Sequence, residues 1–292
     1  MIHSNLLGFR GARFFWWTLL VLVVSSAIYI TQSSATPPNG GTWQGYTLGT
    51  IGALLIFWLA LLGIRKRRYG ASWGSTKAWT SAHAYLGSAL LVIATLHSAA
   101  QMGWNIHTLA YLLMWIVVLS GMFGTWAYLI LPGRLSQLRG GGTRSDLFGQ
   151  LLELDRQIRE LADRAGGTDI ATAMISAVER TAIGGGVMAQ LLSRDASMYI
   201  PSDGAKLAPN PDQRALIAQL ARRTPRADKR QEATLLQEAV VLASRRQSLL
   251  RQIRRDIRLQ GWLRAWLYLH IPLTMALLVA LAIHIVATFF YW

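Results

Sequence analysis

Five stretches of this chain, near residues 14–31, 47–64, 81–100, 107–131 and 265–290, are long and apolar enough to cross a hydrocarbon core of ~30 Å. Inside lipid, each backbone N–H and C=O must find its partner within the segment, so runs of this kind fold as helices. The expected fold class is therefore all-α: an integral membrane protein built as a five-transmembrane-helix bundle. Tryptophan use agrees, because Trp16, Trp17, Trp43, Trp104, Trp262, Trp266 and Trp292 fall near predicted helix ends, where an aromatic belt meets the membrane surface. Arg10 and Arg13 ahead of the first run give it the outline of a secretory signal; it is read as a retained anchor.

The net charge of +15 at first suggests a nucleic-acid partner, but its distribution does not. Every acidic residue lies between Asp146 and Asp256, and the basic residues fall mainly there, at Arg10 and Arg13, and in the run Arg65 to Arg68 with Lys77. The segments 32–46 and 101–106 carry no charged side chain. This is the asymmetry of a membrane protein whose basic loops stay in the cytoplasm. It predicts a cytoplasmic N-terminus, a C-terminus at Trp292 outside, and a lipid bilayer rather than a nucleic acid as partner. The 0 cysteines exclude disulfides, thiolate-held iron–sulfur clusters, covalent c-type haem attachment and a thiol nucleophile.

Three segments are expected: 1–132 with helices one to four, 133–260 as a helical cytoplasmic insert between helices four and five, and 261–292 with helix five. Within the insert, Leu147, Leu151, Leu154, Ile158 and Leu161 step by four and three, the signature of an apolar seam on a helix. Leu235, Ala239, Leu242, Leu249 and Ile253 suggest a second long helix near 231–260, and the two could pair as an antiparallel hairpin. Gly184 to Gly186 and the stretch from Pro201 to Pro211 read as breaks and loop. The glycine triplet lacks the strand and the Lys-Ser/Thr of a phosphate-binding loop.

The chemistry resides in histidine. Of 6 histidines, four form two pairs with one interval: His83 to His97, and His270 to His284. Fourteen residues at ~100° and ~1.5 Å each bring the second imidazole to within ~40° of the first and ~21 Å along the axis. Each pair thus shares one helix face and spans both leaflets. Under the topology above helices three and five are parallel, so His83 is level with His270 and His97 with His284. Two facing imidazoles at each level suit a six-coordinate haem iron. Zinc is a poorer reading, since sites ~21 Å apart leave only two ligands each. Proton relay by histidine and plain structural hydrogen bonding are the bland alternatives; ionisable groups in spans are usually functional. Gly87, Ala94 and Ser98 beside the ligands would permit close approach, as they would in ordinary helix packing. Arg68, Lys77 and Arg264 are candidates for the propionates of an inner haem. His107 opens helix four without an evident mate and reads as an interfacial residue more readily than as a quinone or proton ligand; His3 has no assigned role.

Two helices that each carry His-x13-His resemble the membrane core of the ferric reductase and NADPH oxidase superfamily, and are similar to respiratory cytochrome b. The segments His83-Ala-Tyr-Leu-Gly87 to His97, Leu119-Ser120-Gly121-Met122-Phe123-Gly124 and Leu269-His270-Ile-Pro272-Leu273 look like a bacterial branch of such b-type cytochromes. The resemblance covers the spans and not the insert. It implies two b haems, the bacterial inner membrane and electron transfer. The flavin and NADPH domains and the quinol-site Pro-Glu-Trp-Tyr of those families have no counterpart here. The expectation is an electron-relay subunit of a larger redox complex, whose partners would carry iron–sulfur clusters, flavin or c-type haem. The alternatives are a quinone oxidoreductase subunit, with His107 or Gln101 assisting, and a non-redox membrane scaffold.

Overall fold

A computed structural model describes residues 7–32, 39–67, 74–203, 206–224 and 230–290. Among these the chain is almost wholly helical: α1 (Arg13–Ile30), α2 (Trp43–Arg67), α3 (Thr76–Ser98), α4 (Ile106–Leu138), α5 (Arg144–Arg164), α6 (Asp169–Glu179), α7 (Val187–Leu191), α8 (Arg214–Arg223) and α9 (Arg230–Phe290). The two-residue strands β1 (Met198–Tyr199) and β2 (Ala208–Pro209) pair antiparallel. Five helices, α1 to α4 and α9, are long and apolar enough to cross a membrane.

The chain divides into two compact units, Met1–Ile130 with Ala265–Trp292, and Leu131–Arg264. In the first unit α3 packs against α1 and α2. Its core gathers Leu59, Leu90, Met114, Val118 and Leu277. Several hydroxyls on the later spans bond within the protein, as little water would be there to serve them. Thr274 and Thr288 donate to the carbonyls of His270 and His284 one turn back, each at 2.8 Å, and the Thr95 and Tyr111 hydroxyls meet at 2.8 Å. Ser75 caps α3 by accepting from the Ala78 N–H, and Ala99 closes it in the left-handed conformation, φ 48°.

The second unit is built on α5 lying antiparallel to the first half of α9. Arg144 meets Asp256, Asp155 meets Arg246 and Arg164 meets Glu238, so numbers rise along one helix as they fall along the other. The apolar seams close between these pairs: Leu147 and Leu151 on Leu249, Leu250 and Ile253, then Ile158 and Leu161 toward Leu236, Ala239 and Leu242. Each leucine so buried contributes about 2 kcal/mol relative to an exposed one. A capping box starts α5, with the Thr143 hydroxyl accepting from the Asp146 N–H and the Asp146 carboxylate from the Thr143 N–H. Asn210, fully buried, caps α8 by accepting from the N–H groups of Ala215 and Leu216.

Two differences from the sequence reading have physical causes. The proposed helix near 231–260 and the fifth span are one continuous helix, α9. Gly261 is the sole weak helix former at the join, and ~1 kcal/mol is too little to break a helix held on both sides. The stretch from Pro201 to Pro211, read as loop, contributes β2, which pairs with β1 from the segment between it and the glycine triplet. That segment is organised by Asp195, whose carboxylate accepts from Ser197 N–H at 3.0 Å and pairs with Arg254 at 2.9 Å. Such long-range ion pairing leaves no periodic mark in a sequence.

Candidate functional site

Each of the four paired histidines is fixed through the same ring atom. His83 Nδ1 lies 3.2 Å from the Leu59 carbonyl oxygen, and His97 Nδ1 lies 2.8 Å from that of Gly45. A carbonyl only accepts, so both Nδ1 atoms carry the proton. His270 Nδ1 is 2.7 Å from Ser120 Oγ, whose own proton goes to the Val117 carbonyl at 2.8 Å, so the imidazole donates here as well. His284 Nδ1 is 2.7 Å from His107 Nδ1, one nitrogen donating and the other accepting. Among the described residues no Nε2 of these four rings has a hydrogen-bond partner. For His83, His97 and His270 the Nδ1 bonds make Nε2 the nitrogen with the free lone pair. A metal-ligating histidine is ordinarily held this way, with the second nitrogen donating to a fixed acceptor.

The rings of His97 and His284 stand 6.0 Å apart, centroid to centroid, at an interplanar angle of 86°. An imidazole–metal–imidazole sandwich with bonds of ~2.0 Å puts ring centroids roughly 6 Å apart. His83 and His270 lie within coulombic range of one another. The exposed Lys66, at the end of α2, lies in the field of both.

Glycines set how closely these rings are approached. Gly45, Gly49 and Gly52 line the face of α2 turned to α3. A Cβ on Gly49 would stand 2.7 Å from Cε1 and 3.0 Å from Nδ1 of His97, so only glycine leaves the ring its place. On α4, a Cβ at Gly121 would touch His270 Cε1 at 3.5 Å, and one at Gly124 would run into the Trp266 indole. Trp266 lies beside His270, centroids 5.5 Å apart, and donates its indole N–H to the Ser120 carbonyl at 2.7 Å. Ser120 therefore holds both rings, one through its hydroxyl and the other through its backbone.

The structure thus brings His97 together with His284, and His83 near His270. It corrects the reading of His107, whose mate is His284: their ring centroids are 4.6 Å apart. The interval of 177 residues between them hides this pairing in the sequence. Gly87, expected beside His83, has Leu59 Cδ1 at 4.0 Å as its nearest neighbour. Of the propionate candidates, Lys77 stands in the first turn of α3, Arg264 is exposed on α9, and Arg68 lies outside the described residues, as do His3 and Trp292. Sequence reasoning missed Lys66, Gly49 and Trp266 as neighbours of the rings, and it quoted Ser120 only within a resemblance. Among the described residues no group of three or more His, Cys, Asp or Glu side chains is arranged to hold a metal ion. A donor set of two imidazole nitrogens per pair would suit a metal that brings further ligands of its own, as haem iron does.

No protein-family model, no curated protein and no solved structure matches the chain.

Proposed function

We propose that the chain is a dihaem cytochrome b subunit that relays electrons across a membrane within a larger redox complex. His83 and His270 would hold an inner haem, and His97 and His284 an outer one. The observation that carries this reading is the outer pair: two rings 6.0 Å apart, each held by Nδ1, neither using Nε2 for a hydrogen bond. When bound, the two haems would supply one-electron redox chemistry, each held by two histidines of this chain.

The chain's own residues orient, exclude and tune. The Gly45 carbonyl, the Leu59 carbonyl and Ser120 Oγ fix which nitrogen of each ring faces the metal. His107 would do the same for His284, the proton between the two Nδ1 atoms belonging to His284 in this reading. Lys66, in the field of both inner histidines, favours negative charge at that level, such as propionates or an added electron. An electron crossing the full membrane gains or loses ~2.3 kcal/mol per 100 mV. In this reading the basic segments lie in the cytoplasm, the membrane is a bacterial inner membrane, and the unit Leu131–Arg264 is a cytoplasmic insert offered to a partner carrying iron–sulfur, flavin or c-type haem.

The test is optical. Purified protein should show a reduced-minus-oxidised α-band of the b type, with two haems per chain; a folded, colourless preparation overturns the reading. Failure of quinol to reduce the isolated subunit is expected, and inhibitor-sensitive reduction would favour the quinone enzyme.

A further inference from the structure

Apolar side chains exposed in the Leu131–Arg264 unit are mostly scattered singly, as at Leu152, Leu207 and Val241. The exception is α7 and the residue after it, where Val187 is 66% exposed, Met188 66% and Leu192 55%. A helix of 5 residues has no stability of its own, so something must hold it. Leu191, half-buried on the same side of the short helix, does so by reaching α9, where a Cβ on Gly261 would stand 3.3 Å from Leu191 Cδ2. The lead-in is specific as well: Gly185 has φ 135°, a conformation other residues rarely adopt, and its carbonyl accepts from the Gln190 side chain at 2.9 Å. An apolar face held out by a dedicated turn is a built feature.

Its place along α9 says what covers it. Gly261 precedes Ala265 by four residues, ~6 Å of helix, and there the apolar run of the fifth span begins. The turns just before that run expose Arg255, Arg258, Trp262 and Arg264, a composition that suits a membrane surface. Segment 184–194 contains no acidic residue, and it ends on the exposed Arg194. Basic side chains at a lipid surface are drawn to anionic headgroups.

From this we infer that α7 with Leu192 is an interfacial membrane anchor: Val187, Met188 and Leu192 insert at the headgroup–acyl boundary of the bilayer that α9 enters, and Arg194 meets anionic headgroups. The anchor ties the unit to the lipid at a second point besides the chain itself. It rests on the membrane-spanning helices and is independent of the haem reading.

The absence of native cysteine makes the test clean. Met188→Cys, Leu192→Cys and, as a control, the exposed Glu160→Cys are each spin-labelled in the full chain, in nanodiscs containing anionic phospholipid. Labels at 188 and 192 should relax faster with oxygen, which concentrates in lipid, than with an aqueous nickel chelate; the label at 160 should show the reverse. Nickel access at 188 and 192 equal to that at 160 overturns the anchor. Protection from both relaxants also overturns it, since that marks cover by protein, a second copy or another subunit.

Discussion

At Gly49 a single added carbon acts directly on the ring of His97. Its hydrogen stands where any other residue would place a carbon 2.7 Å from the His97 ring, so Gly49→Ala must push that ring off its bond to the Gly45 carbonyl. Gly87 supplies the comparison, because a Cβ there meets nothing nearer than 4.0 Å and alanine also favours the helix. Under the proposed function, Gly49→Ala lowers haem content from two toward one per chain, while Gly87→Ala keeps both; pyridine haemochrome assay reads the difference. The sequence offered Gly87, one turn from a histidine, as one of three small residues that would permit close approach, as they would in ordinary helix packing. It could not single out Gly49, because closeness to His97 arises between helices.

At the scale of elements, α5 and α9 are joined by charge as well as by leucine. Asp256 is buried, its carboxylate between Arg139 at 2.6 Å and Arg144 at 2.8 Å. Asp256→Ala leaves two guanidinium groups facing each other without a counter-charge, and a loss of about 3 kcal/mol is expected, seen as a lower melting temperature in detergent. The exposed surface of α5 behaves differently. Arg156 beside Glu153 holds that carboxyl at about 2, below its ordinary 4.5. A depressed pKa means the contribution is present above the ordinary value and disappears as pH falls through the folded one. Lowering pH from ~5 to ~2 should therefore reduce the protection of α5 amides relative to their intrinsic exchange rates at each pH, added salt should weaken the effect, and Glu153→Gln should remove this part of it. The apolar seams of both helices were legible in the sequence because they repeat every three to four residues. Asp195 and its organising of the segment before α8 were not, since its partners Asp212 and Arg254 are remote in the chain.

For the molecule as a whole, the proposed function rests on the two histidine pairs together, with each pair assigned one haem. His97→Ala removes one ligand at the level it shares with His284 and leaves His83 and His270 untouched. The variant should retain one haem of two, with a single remaining redox transition on potentiometric titration. Unchanged haem content would falsify the ligand assignment.

By itself the sequence determined that the chain is helical and has five segments able to cross a membrane, because length and hydropathy are local properties that lipid reads directly. It determined equally that His83 and His97, like His270 and His284, share one face of one helix, because helical phase depends only on interval. Tertiary structure alone decided which atoms hold each ring. The acceptors of His97 and His83 lie 52 and 24 residues away, those of His270 and His284 150 and 177. No periodicity connects such positions. They meet only when α2, α3, α4 and α9 pack, and that packing gave His107 its mate and made Gly49 indispensable.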